Sequence, residues 1–289
     1  MILIAESGST KTTWVIAEAN AEKQRFQSQG FNPYTQSRAQ IVKTLNEEVR
    51  PFVKDIQISA VYFYGAGCSS DKNRELMYNS LKECFGIPEI EIEHDLMGAA
   101  RALWFNSEGI AGILGTGSNS CVYDGQDIAD HIPALGYIMG DEGSGAYMGK
   151  KLLRDFMYFK MPEHIHEKIS DRFGFDDSDI LDHVYKKENP NRWLAGFTHF
   201  IAENIEDDYC NELVESAIKD FFDAHITQYP GYRELPFGVV GSIGEVFKKQ
   251  LEKVCKEYGI PLQKVIKSPI DELVKYHLKE TENEDATRE

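Results

Sequence analysis

The stretch Ile2-Leu3-Ile4-Ala5-Glu6-Ser7-Gly8-Ser9-Thr10-Lys11-Thr12-Thr13-Trp14-Val15-Ile16-Ala17-Glu18 decides the architecture. Ile2–Ala5 reads as an apolar strand, and Thr12–Glu18, β-branched and aromatic, as a second. Small and hydroxylic residues join them. Ser7, Gly8 and Ser9 let the backbone approach an anion, and the N–H groups of such a turn form an anion-binding concavity. Thr10 and Thr12 add hydroxyls, Lys11 a positive charge, and Glu6 a carboxylate able to hold a hydrated Mg²⁺. The same stretch also reads as an ordinary hairpin with a polar tip.

Outward from there, strands and helices alternate. Ala39–Phe52 has helical spacing at Ile41, Leu45 and Val49. Ile58–Tyr64 is a strand ending in Gly65-Ala66-Gly67, and Arg74–Phe85 a helix stopped by Gly86. Ile90–Glu93 is a short strand. Asp95 follows it and opens a helix with Met97, Ala100, Leu103 and Trp104 on its apolar side. Asp95 fits two roles, a helix N-cap or a general base at a strand end.

A second round begins near Gly109. Strand Ile110–Leu114 runs into Gly115-Thr116-Gly117-Ser118-Asn119-Ser120, returns as Ser120–Tyr123, and meets a turn signal at Asp124-Gly125. Gly136-Tyr137-Ile138-Met139-Gly140-Asp141-Glu142-Gly143-Ser144-Gly145 is dense in glycine and acid, which points to close approach to a ligand. Residues 143–226 read as mostly helical. Phe237–Val240 is a buried strand before Gly241-Ser242-Ile243-Gly244 and a helix to about Tyr258. Those glycines either let a flat nucleoside lie on the backbone or allow tight strand–helix packing. Pro269–Leu278 is the last helix, and the acidic tail from Glu280 reads as a frayed, solvated end.

The two rounds share an order, so the expected fold is α/β and duplicated, with a helical insertion in the second copy. The expected division is 1–107 and 108–269, with the insertion at about 143–230 and the final helix, about 270–289, packing back on the first domain. A ligand is expected in the cleft between the copies.

Composition narrows the function. The chain has 289 residues, 42% hydrophobic and 27% charged, and a net charge of −16. That balance disfavours nucleic acid and anionic membrane as partners. A phosphate ligand would need local positive potential from backbone N–H groups or a metal. No apolar run is long enough to span a bilayer. The five scattered cysteines, never in CxxC spacing, point to a reducing cytoplasm rather than a disulfide or zinc framework. There is no Walker A loop, no complete GxGxxG, no HExxH and no GxSxG.

Taken together, these stretches resemble the sugar kinase–actin–70-kDa heat-shock ATPase superfamily. Within it the chain looks like the N-acetylglucosamine kinase branch, grouped with the BadF/BadG-type ATPases. The most specific matches are Glu6–Thr12, Gly115–Asn119 and Met139–Ser144, the last being the branch's most distinctive stretch. The resemblance implies two ribonuclease-H-like, actin-like ATPase domains with ATP and Mg²⁺ in the cleft. It implies that Gly8, Ser9, Thr10, Lys11 and Thr12 form the first phosphate loop, and Gly115, Thr116, Gly117 and Ser118 the second. Gly241, Ser242 and Gly244 fall where adenosine is held, and Asp95 matches the catalytic carboxylate. Asn32, Gly67, Asn119, Tyr137 and Asp141, with Asp95, are implied around the sugar, Tyr137 as a stacking residue. Glu6, where much of the superfamily has Asp, would reach Mg²⁺ through water.

The implied activity is ATP-dependent phosphorylation of an amino sugar, with the 6-hydroxyl of N-acetylglucosamine as the expected acceptor. The open alternatives are a kinase for another sugar, such as glucosamine or N-acetylmuramic acid, and a BadF-type activator ATPase without a sugar substrate. A homodimer is common in the family.

Overall fold

A computed structural model describes residues 1–8, 11–18 and 21–288; Ser9 and Thr10 of the first expected phosphate loop lie outside the described residues. The chain divides into two units. The first comprises Met1–Ser107, Gly125–Asp127 and Ser268–Glu289, and the second Glu108–Asp124 and Ile128–Lys267.

The first unit holds a five-stranded sheet in the order β3-β2-β1-β4-β5. Its strands are β1 (Ile2–Ser7), β2 (Lys11–Glu18), β3 (Ala21–Gln29), β4 (Ala60–Gly65) and β5 (Glu89–His94). β1 pairs antiparallel with β2 and parallel with β4, and β5 extends the parallel side. Helices cover both faces, so the central strands read as apolar runs rather than alternations. Leu3, Ala5, Trp14, Ile16, Val61 and Phe63 face one core, together with Ile41, Met77 and Leu81 from the helical segments beyond β3 and β4. Trp14 lies among Phe26, Phe31 and Phe63 and donates its indole N–H to Ser28 Oγ at 2.9 Å. The opposite face carries the Asp95–Trp104 helix and the last helix, Ile270–Arg288.

The second unit repeats this topology. Its strands are β6 (Gly109–Leu114), β7 (Ser118–Tyr123), β8 (Ile128–His131), β9 (Phe237–Val240) and β10 (Leu262–Ile266), in the order β10-β9-β6-β7-β8. β6–β7–β8 is an antiparallel meander, and β9 and β10 add in parallel. β6 through β10 therefore match β1 through β5 one for one. The helices between β8 and β9 pack closely. A Cβ at Gly149 would stand 1.9 Å from the Leu194 carbonyl oxygen, so the Gly145–Met157 and Pro190–Gly196 helices meet backbone to backbone there.

Three strands go unread in the sequence: β3 and β8, which are mostly polar, and the short β10, whose Leu262, Val265 and Ile266 are interrupted by Gln263 and Lys264. β3 is an edge strand in which only Phe26 and Ser28 are buried, and polar edges of this kind discourage further pairing. Two further expectations are corrected. The last helix does not end near Leu278, because its backbone stays helical to Arg288 and no Gly or Pro interrupts it. Asp95 is not the N-cap: His94 fills that position and accepts the Leu96 N–H at 3.4 Å, leaving Asp95 as the first helical residue. Among the described residues no helix is long and apolar enough to cross a membrane.

Candidate active site

Parallel strands gather their carboxyl ends along one sheet edge, where α/β folds place ligand groups. In the first unit Ser7 aligns with Gly65, and Gly65 with His94. The residues just beyond them, Gly8, Gly67 and Asp95, therefore come to one edge although the sequence spaces them widely. In the second unit Ile113 aligns with Val240 and Val240 with Ile266, which brings the Gly115 and Gly241 turns together in the same way.

Hydroxyls brace the first turn from inside. The Phe31 N–H donates to Ser7 Oγ at 3.1 Å, Ser7 Oγ lies 2.7 Å from Thr12 Oγ1, and Thr12 Oγ1 donates to the Gln29 carbonyl at 3.2 Å. Both hydroxyls are buried, and such chains strengthen bond by bond. The Thr12 proton is thus spent within the fold, so this side chain shapes the turn. The same chain fastens the segment carrying Asn32 to the turn. Gly8 closes the hairpin with an N–H to the Lys11 carbonyl at 3.0 Å, and the Lys11 side chain lies at an exposed position.

Two carboxylates meet here. Burial raises the pKa of Glu6, and the Asp95 charge raises it further, while Lys11 and a hydrogen bond with Ser268 pull it down. Asp95 Oδ1 is shielded from solvent and lies 2.9 Å from His94 Nε2, a contact that lacks hydrogen-bond alignment. Burial opposes a charge on His94, but the adjacent Asp95 carboxylate outweighs it and holds the imidazole above its ordinary value. Ionised Glu6 therefore costs the folded state stability, since its native pKa exceeds its unfolded one. Glu6→Gln is expected to raise the thermal midpoint at pH 7. Calorimetry checks it, and a lower midpoint would contradict the electrostatic account. Among the described residues no group of three His, Cys, Asp or Glu is arranged to hold a metal. Glu6 with Asp95 suits an ion bound chiefly by phosphate oxygens and water.

Asn32 and Gly67 also adjoin in the first unit. Gly67 has φ +84°, and a Cβ there would stand 2.8 Å from Asn32 Oδ1. Its carbonyl accepts from Asn73 Nδ2 at 2.7 Å.

The second turn is held by the helix behind it. The Gly145 and Ala146 N–H groups donate to the Gly115 and Thr116 carbonyls at 2.9 and 3.1 Å. Thr116 is exposed, and Ser118 Oγ is a buried oxygen without a hydrogen-bond partner among the described residues. Buried polar atoms are normally satisfied, so an orphaned hydroxyl at a turn tip suits a ligand group. Asp141, at φ +58°, presses its carboxylate against this turn and accepts the Ser118 N–H at 3.4 Å. A Cβ at Gly117 would come 2.9 Å from Asp141 Oδ2. Burial raises the Asp141 pKa, the Ser118 N–H opposes that, Glu142 adds to it and Lys150 lowers it. Asn119 turns its side-chain oxygen back to the Ser120 N–H at 2.9 Å. Tyr137 is half-buried, and its carbonyl accepts from Lys150 Nζ at 2.9 Å.

Gly241 lies at φ +131°, and a Cβ there would stand 2.1 Å from the Leu114 carbonyl oxygen, so it packs directly on the base of the second turn. Gly244 is buried against Val239, where a Cβ would come within 2.5 Å of Cγ1. Both glycines thus serve the tight strand–helix packing that their sequence also allows. Ser242 is exposed.

Sequence reading missed Ser268 and the bracing role of Ser7. Ser268 lies more than two hundred residues from Glu6, and no local pattern marks it.

Two ribonuclease-H-like α/β units, each with a small-residue hairpin tip at the carboxyl ends of its parallel strands, define the actin-like ATPase class. Comparison with solved structures agrees. A crystal structure described as a "putative N-acetylglucosamine kinase" from Porphyromonas gingivalis is 41% identical, covering 96% of this chain and 99% of that one, with a TM-score of 0.93. One with the same description, from Chromobacterium violaceum, is 17% identical over 95% and 98% of the two chains, at a TM-score of 0.73. A ROK family glucokinase from Streptomyces griseus, in complex with glucose and AMPPNP, shares the fold at 15% identity over 95% and 97%, with a TM-score of 0.57. No family model and no curated relative matches. The chain belongs to the N-acetylglucosamine kinase-like family of ATP-dependent sugar kinases, within the sugar kinase–actin–70-kDa heat-shock ATPase superfamily.

Proposed function

We propose that the protein transfers the γ-phosphoryl group of ATP to the 6-hydroxyl of N-acetylglucosamine. The observation that carries this reading is the 41% identity, over nearly the full length of both chains, with a relative described as a "putative N-acetylglucosamine kinase". The sugar oxygen forms the new bond to phosphorus, the bond from phosphorus to the β–γ bridging oxygen breaks, and ADP leaves. Asp95 accepts the hydroxyl proton and orients the oxygen for in-line attack. His94 Nε2, 2.9 Å from Asp95 Oδ1, helps to aim that carboxylate.

Phosphoryl transfer rests mainly on positioning and charge stabilisation. Lys11, the exposed Thr116 and the Ser118 hydroxyl are suited to phosphate oxygens, and Ser242 to the nucleoside. Asn32, Gly67, Asn119, Tyr137 and Asp141 are assigned to the sugar. Mg²⁺, when bound with ATP, neutralises phosphate charge, and Glu6 would hold it through water.

The five cysteines are buried and scattered, which disfavours an activator ATPase whose cluster needs cysteine ligands at a subunit surface. The test is an ATP-consumption assay across N-acetylglucosamine, glucosamine, N-acetylmannosamine, N-acetylmuramic acid and glucose. Mapping of the phosphorylated carbon follows. The expected result is highest kcat/KM with N-acetylglucosamine and phosphate on carbon 6. ATP hydrolysis unaffected by every sugar would overturn the reading.

A further inference from the structure

We propose that Tyr34 is a sugar-contacting residue, its phenol ring forming the apolar platform on which the C–H face of the substrate rests beside the Asn32 amide. The assignment rests on the kinase reading above.

Tyr34 is 65% exposed, yet it is fixed at both ends. Its N–H donates to Asn32 Oδ1 at 3.0 Å, and its hydroxyl lies 2.9 Å from Ser69 Oγ. Its ring lies along Gly67, where a Cβ would come within 3.2 Å of Cδ2. The walls that hold it are themselves tied down. The Asn32 carbonyl accepts the Thr35 and Gln36 N–H groups at 3.0 and 2.9 Å, and the Asn32 N–H donates to Gln36 Oε1 at 2.7 Å. An exposed tyrosine on a loop ordinarily keeps its rotamer freedom. Here that freedom is lost before a ligand arrives, which lowers the ordering cost of binding.

The second half of the argument is the orientation of the Asn32 amide. Tyr34 engages its oxygen, so the group left to face a ligand is the NH₂. A pyranose presents hydroxyl oxygens at its rim and C–H bonds on its face. A rim oxygen can accept from the Asn32 NH₂ while the C–H bonds meet the electron-rich face of the ring. Gly67 permits the arrangement, because any side chain there would displace both Asn32 and Tyr34. Neither composition nor spacing marks Tyr34, because its role depends on the pairing of two loops from different strands.

The experiment is calorimetric titration of the full chain with N-acetylglucosamine, alongside steady-state kinetics, for wild type, Tyr34→Ala, Tyr34→Phe and Tyr34→Trp. Tyr34→Ala is expected to weaken sugar binding by about 10- to 100-fold while the KM for ATP stays within about twofold. Tyr34→Phe and Tyr34→Trp keep the platform and are expected to stay within about threefold of wild type. Sugar affinity unchanged in Tyr34→Ala overturns the assignment. So does an equal loss in Tyr34→Phe, because the hydroxyl tether to Ser69 would then be the whole contribution. Wild type that neither binds nor phosphorylates N-acetylglucosamine overturns the proposed activity and this assignment with it, which separates the two failures.

Discussion

Asp95→Asn is expected to lower kcat by about 10²- to 10⁴-fold, the usual contribution of a positioned general base. Asn is nearly isosteric and keeps a hydrogen-bonding side chain, but it cannot take the proton from the attacking hydroxyl. The fold should tolerate the change well. Asp95 is the first helical residue rather than the N-cap, so the cap made by His94 survives. Removing its charge also relieves Glu6, whose pKa that charge raises. Stability at pH 7 should therefore hold or rise while turnover collapses, a combination that a structural role for Asp95 would not produce. The His94 pKa should fall in the variant, because the adjacent carboxylate is what holds it up. Steady-state kinetics, thermal unfolding and an NMR titration of His94 report the three quantities separately. A correctly folded variant with near wild-type turnover would remove Asp95 from the chemistry.

Acid should loosen the last helix through His277. This side chain is 2% exposed, its Nε2 lies 2.8 Å from the Tyr64 hydroxyl, and its ring stacks on Tyr62 at 3.7 Å. Arg101 donates to the same Tyr64 hydroxyl at 2.7 Å and pairs with Glu91. Burial, with the nearby Arg101 charge, lowers the His277 pKa from 6.5 to about 3. The unfolded chain therefore takes up a proton at this site below pH 6.5 that the folded chain refuses until about pH 3. The neutral imidazole's contribution is complete above pH 6.5 and is lost as pH falls, at about 1.4 kcal/mol per unit. Between pH 6.5 and 5 the loss is about 1.6 kcal/mol, or roughly 16-fold in protection. Amide exchange in the Ile270–Arg288 helix, corrected for intrinsic rates, measures it. His277→Phe should abolish this pH dependence whatever its effect at neutral pH. An identical slope in wild type and variant would assign the acid response to other groups.

The sequence could be read where burial leaves a local trace. β1, β2, β6 and β9 stand out because central strands covered on both faces carry apolar runs. The Gly86 stop is legible because a left-handed residue at φ +63° ends that helix. β3 and β8 were invisible, since an exposed edge places no apolar demand on its residues. The candidate site divides in the same way. Its turns and acids could be named from small-residue and charge patterns. The inward commitment of Thr12, the N-cap at His94, the Ser268–Glu6 hydrogen bond and the tethering of Tyr34 could not.

By itself, the sequence determined that two similar α/β halves follow one another, each opening with an apolar strand, a bare-backbone turn and a returning strand. Periodicity and turn chemistry are local properties, and they survive without tertiary contacts. Only the tertiary structure decided which distant residues share a sheet edge. Parallel pairing aligned Ser7, Gly65 and His94, and with them brought Glu6 and Asp95 close enough for one carboxylate to shift the other. Strand register and burial set those distances, and neither is written in any short stretch of chain.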